Sequence, residues 1–169
     1  KDLDRMSYLE KIKIIKQINA GLYAYYKITK HPIKNLNPYN IFIAGYTEAQ
    51  TSYGATVKVP IIKLGYLPTE YYLLDSSLPP STLWQFENED YFFYSFAILI
   101  WEILTRRIPF EDYDKMDNKS KLFNYLSNQS LTACYLKNNI PLPIYNFLYK
   151  IFNKKKQVFK KETLYKELF

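Results

Sequence analysis

The chain has 169 residues, of which 48% are hydrophobic and 18% aromatic, and it contains a single cysteine, Cys134. A chain of this length can bury the core of one domain, and it is too hydrophobic to be disordered. One cysteine excludes an internal disulfide, and no Cys/His cluster is present for zinc. The sequence also lacks a signal-peptide pattern and the run of about 18 apolar residues that crosses a membrane. We therefore expect a protein of a reducing compartment, the cytoplasm, with no membrane contact.

The formal net charge is +7, because 23 Lys and Arg outnumber 16 Asp and Glu. Much of this excess is local, since five lysines lie together near the end: Lys154, Lys155, Lys156, Lys160 and Lys161. Such a cluster is either a solvated turn before a last helix or a patch that binds nucleic acid. We favour the turn, so nucleic acid is an unlikely partner on this reading.

The first predicted element is a helix from Tyr8 to about Lys27. Ser7 and Glu10 are spaced as a capping box, in which each side chain bonds the backbone of the other residue. Apolar residues then recur at helical spacing over a wide stripe, as expected of a helix packed on two sides: Leu9, Ile12, Ile14, Ile15, Ile18, Leu22, Tyr25 and Tyr26. Pro32 ends the pattern, because a residue before proline avoids the helical region.

Two short strands with a turn between them are predicted next. They follow a polar loop over residues 33–40 and comprise the apolar run Ile41-Phe42-Ile43 and the run from Val57 to Ile62. Turn-forming residues around Gly45 and Gly54 separate the two runs.

A central helix over residues 91–104 is apolar almost all round, which is typical of a helix surrounded by others. Trp101 within it is predicted to be buried. Before it, residues 66–90 contain three prolines and no period, so we predict a long irregular loop. Further helices are predicted at Lys115–Leu126, Ile144–Phe152 and Lys161–Phe169. The expected fold class is mainly α with a small β element.

Two stretches and the order of the elements resemble the large helical lobe, or C-lobe, of protein kinases. Tyr-Ser-Phe-Ala-Ile-Leu-Ile-Trp-Glu-Ile-Leu-Thr over residues 94–105, with the exit Ile108-Pro109-Phe110, is similar to the buried helix of tyrosine-kinase-like kinases. Leu36-x-Pro38-x-Asn40-Ile41 resembles half of their catalytic loop. The resemblance implies one protein kinase-like C-lobe over residues 1–169, with the N-lobe absent. Its catalytic-loop, activation-segment and central-helix equivalents would be residues 33–40, 63–81 and 91–104.

Position by position, this resemblance implies that the catalytic loop is degenerate. An active kinase needs a loop Asp to accept the substrate proton, and the matching position is Asn35, a poor base. Ile33 stands at the position of the loop His, and Asn37 at that of the loop Lys. Asn40 is retained at the second metal-ligand position. One neutral amide cannot hold magnesium alone, so we expect Asn40 to tie the loop backbone together.

The magnesium-binding Asp of the Asp-Phe-Gly motif is missing as well. Alignment on Gly65 places Lys63 at that position, a cation where a carboxylate should bind the metal. An alternative register places Ile61 there, and no Asp occurs between Asn35 and Asp75 in either case. We therefore expect a pseudokinase with no enzyme activity, no metal and no cofactor.

Two structural positions of the kinase pattern are degenerate too. Kinases pair a Glu at the end of the activation segment with an Arg before the last helix, and here Ser81 and about Val158 take those positions. Losing one partner would leave an unpaired buried charge at a cost of about 3–5 kcal/mol, so losing both is tolerable. Phe92 replaces a central-helix Asp that hydrogen-bonds the catalytic loop.

Among pseudokinases, the sequence most resembles the mixed-lineage kinase domain-like family, which executes necroptosis. The resemblance is carried by Leu22-Tyr23, by the run from Trp101 to Phe110 and by the Pro-x-polar ending of the activation segment. Poxvirus-encoded homologues of this family sequester the host receptor-interacting kinase. The resemblance implies the same partner here, in the host cytoplasm. Phe86 matches an aromatic hook toward that kinase, and Trp84 lies beside it; alternatively, both pack beneath the loop.

Three other functions stay open at this point. The chain could be a generic pseudokinase scaffold or an allosteric regulator of another kinase. It could bind nucleic acid through the lysines at 154–161, with an affinity that falls steeply with salt. A residual enzyme with unusual metal chemistry would have to transfer phosphoryl groups despite Asn35 and Lys63.

Overall fold

The computed structural model describes residues 6–33, 36, 38–50, 52–65, 90–107 and 140–152. Within them lie three helices, one 3-10 turn and two strands. In chain order the elements are α1 (Tyr8–Thr29), a 3-10 turn (Pro38–Asn40), β1 (Ile41–Gln50), β2 (Thr56–Leu64), α2 (Asp90–Thr105) and α3 (Leu142–Phe152).

Helix α1 begins at the predicted capping box. The Ser7 N–H donates to Oε2 of Glu10 at 2.6 Å, and the Glu10 N–H donates to Oγ of Ser7 at 3.3 Å. These hydrogen bonds to Ser7, helped by the nearby Lys13 ammonium, hold the pKa of the Glu10 carboxyl below its ordinary value. The helix ends at Lys30, whose left-handed backbone (φ 60°) lets its N–H donate to the Tyr26 carbonyl.

Strands β1 and β2 form one antiparallel sheet, with a register that runs from Ile41 opposite Leu64 to Gln50 opposite Thr56. The register shifts between Ile43 and Gly45, so a β-bulge lies there. Gly45, which we predicted in the turn, therefore lies inside β1. The turn itself falls at residues 52–54, where Gly54 adopts the positive φ of 78° that glycine tolerates without strain.

The predicted fold class, a mainly α kinase-like C-lobe with a small β element, is wrong. The described chain is a mixed α/β structure whose two-stranded sheet has strands of ten and nine residues. The prediction took only the apolar runs 41–43 and 57–62 as strands. Backbone hydrogen bonds between strands do not depend on side-chain polarity, so residues 46–50, which form no apolar run, continue β1 along β2.

Side-chain contacts from α1 hold the sheet. Nε2 of Gln17 donates to the Pro60 carbonyl at 2.8 Å, and the Ile62 N–H donates to Oε1 of Gln17 at 2.9 Å. The amide of Gln17 therefore replaces a peptide group of a third strand at the outer edge of β2. One turn later Gly21 lets β2 approach closely, because a Cβ there would lie 3.0 Å from Cδ1 of Leu64.

Helix α2 lies at the centre of the core, as predicted from its apolar surface. Its Phe96 ring centroid is 5.7 Å from that of Phe147 on α3, and Tyr94 meets Phe152 edge to face at 5.9 Å. Trp101 is only 4% exposed, which confirms its predicted burial. Neither α2 nor any other helix of the described ranges is long and apolar enough to cross a membrane.

The predicted helix at 144–152 is also confirmed, within α3. The predicted helices at 115–126 and 161–169 lie outside the described residues. The same holds for residues 66–89 of the predicted loop and for the lysines at 154–161.

Candidate functional site

The two ends of the β1–β2 hairpin meet at the loop that we predicted to be degenerate. The Gly65 N–H donates to the Asn40 carbonyl at 2.8 Å, one step beyond the paired residues Ile41 and Leu64. This bond joins residue 40, the end of the predicted catalytic-loop equivalent, to residue 65, within the predicted activation-segment equivalent. We call this place the Asn40–Gly65 junction.

Two apolar residues anchor the loop that leads to the junction. Ile33 is 7% exposed and Leu36 is 2% exposed, and both belong to the same core as α1 and α2. Ile33, at the position where the resemblance expects a His, thus packs in the core of the protein. Asn35 and Asn37, the other two degenerate loop positions, lie outside the described residues.

Asn40 is itself buried at 3% exposure and ends the 3-10 turn. We expected this residue to tie the loop backbone together. At the junction its main-chain carbonyl accepts the Gly65 N–H, so the backbone tie is made through the peptide group. The buried side-chain amide is neutral and brings no charge to the junction.

Lys63, the lysine that we predicted at the magnesium-binding position, lies two residues before Gly65 of the junction. Lys63 is exposed on β2 and stands opposite Phe42 on β1. The Phe42 ring also covers Gly65, since a Cβ added at Gly65 would collide with its edge. Any side chain at this glycine therefore requires the half-exposed Phe42 ring to move.

Within the described part of the chain, the loop and strands that form the junction supply few acidic groups. From residue 31 to residue 65 the chain has one acidic residue, Glu48, which stands opposite Lys58 near the far end of the hairpin. Glu48 lies eight positions along the chain from Asn40, roughly 25 Å at the rise of an extended chain. Among the described residues no group of His, Cys, Asp and Glu could hold a metal ion.

Of the remaining predicted site positions, one lies in the core and the others lie outside the described residues. Phe92 is buried at 5% exposure in α2, with its ring 5.1 Å from Phe93 and stacked 6.3 Å from Phe96. It therefore packs among aromatic rings, at a position where the resemblance implies a polar Asp in kinases. Ser81 and the predicted anchors Trp84 and Phe86 lie outside the described residues.

Sequence reasoning missed the contact between Asn40 and Gly65 and the ring of Phe42 over it. The strand register was the signal that could have found them, because pairing Ile41 with Leu64 brings their neighbours together.

Comparisons with protein-family models, with curated proteins and with solved structures found no match for the chain.

Proposed function

We propose that this chain is a catalytically inactive pseudokinase that works by protein binding. Its partner is a receptor-interacting kinase of the necroptosis pathway, which it sequesters in the host cytoplasm as poxvirus-encoded relatives of the mixed-lineage kinase domain-like family do. One observation carries the proposal: the Asn40–Gly65 junction draws no acidic side chain from the loop or the strands that form it.

This observation bears on catalysis because phosphoryl transfer depends on carboxylates. One must orient and deprotonate the substrate hydroxyl, and another must hold magnesium on the phosphates. Glu48 is too distant along β1 to serve the junction, and Lys63 puts a positive charge close to it. A lysine ammonium repels a divalent cation, so the charge at this end of the hairpin opposes metal binding.

A pseudokinase that does not transfer phosphoryl groups can still act by binding another protein. The sequence resemblance implies the class of that partner. Large aromatic side chains are the usual anchors of protein interfaces. Phe86, at the position of the aromatic hook, is the anchor that we propose, with Trp84 as its neighbour.

The first experiment measures phosphotransfer by the protein with magnesium or manganese. We expect no turnover above the background without protein. Asn35→Asp alone should not restore activity, because Lys63 still repels the metal; the double variant Asn35→Asp/Lys63→Asp tests whether both carboxylates are required. Clear metal-dependent turnover by the unmodified chain would contradict the proposal.

The second experiment measures affinity for the isolated kinase domain of the partner. Phe86→Ala should weaken binding by roughly thirtyfold, the equivalent of about 2 kcal/mol for a buried aromatic anchor. Tyr53→Ala is the matched control, since Tyr53 is 95% exposed in the hairpin turn. Trp84→Ala needs a thermal melt beside it, to separate lost binding from lost core packing. If the unmodified chain forms no complex, the proposed partner is wrong.

A further inference from the structure

We draw no further inference here: the strongest candidate, the surface patch of exposed apolar side chains on the β1–β2 hairpin (Phe42, Ile43, Tyr46 and Ile61), carries none because nothing in the described part of the chain shows what covers it.

Discussion

Nζ of Lys11, on the first turn of α1, donates a hydrogen bond of 3.5 Å to the carbonyl of Leu104, near the C-terminus of α2. Lys11 is buried at 4% exposure, which is rare for a lysine. The last carbonyls of a helix have no partner within the helix and carry partial negative charge, so a buried ammonium is stabilised there. The contact joins the start of one core helix to the end of the other.

Two substitutions of Lys11 distinguish the stability contributed by its buried alkyl chain from that contributed by the hydrogen bond of its ammonium group. Lys11→Ala should lower the free energy of unfolding by about 2–3 kcal/mol, because both the buried stem and a charged hydrogen bond are lost. Lys11→Met restores an apolar stem of similar length and should cost less than Lys11→Ala. Urea unfolding measures both. Equal destabilisation by the two substitutions would show that the stem contributes nothing.

The bridge from Gln17 to β2 should stabilise the hairpin. Gln17→Leu removes both hydrogen bonds, to the Pro60 carbonyl and from the Ile62 N–H. Two backbone groups then lose their partners, and the expected loss is about 1–3 kcal/mol of unfolding free energy. Faster hydrogen exchange at the Ile62 amide should accompany it, while the amides of α2 exchange as before. An unchanged rate at Ile62 would contradict a stabilising role for the bridge.

Truncation of Trp101 tests the central position of α2. This side chain is 4% exposed in a core of aromatic and branched residues, so Trp101→Ala leaves a large cavity. The expected destabilisation is about 3–5 kcal/mol, as for other large core aromatics. A thermal melt measures it, with Tyr149→Ala, an exposed aromatic on α3, as the control. An unchanged melting curve for Trp101→Ala would show that α2 is not central.

The carboxyl of Glu102 should make stability depend on pH. Burial raises the pKa of this half-buried group on α2. At a pH above the ordinary glutamate pKa of about 4.3, the unfolded chain has released this proton, whereas the folded protein still holds it. The resulting stability is fully present below that pH and is lost as the pH rises through the raised folded-state pKa.

Glu102→Gln removes this titration. We expect the variant to be more stable than the parent at neutral pH and to lose less stability as the pH is raised from about 4.3. Melting temperatures across that range measure the difference, with Glu48→Gln on the exposed surface of β1 as the matched control. A parent and a Glu102→Gln variant with parallel pH profiles would exclude the effect.

The three helices that the structure describes were predicted from the sequence because their signals are local. The capping box of Ser7 and Glu10 needs residues three apart, and the all-round apolar surface of α2 needs only its own residues to predict burial of Trp101. The motifs around Ile33 and Lys63 likewise predict, from neighbouring residues alone, that these positions are degenerate. Their surroundings, the core around one and solvent around the other, were not predicted.

Only the tertiary structure decided the features that join distant segments. Strand β1 continues through polar residues because β2 supplies hydrogen-bond partners, and the same register places Gly65 against Asn40. The burial of the lysines of α1 was likewise decided only by the tertiary structure. Burial of Lys11 at the end of α2, and exposure of Lys16 on another side of the same helix, depend on what packs against each side. Helical spacing alone does not distinguish a buried lysine from an exposed one, because the free energy of burying the charge is set by partners from elsewhere in the chain.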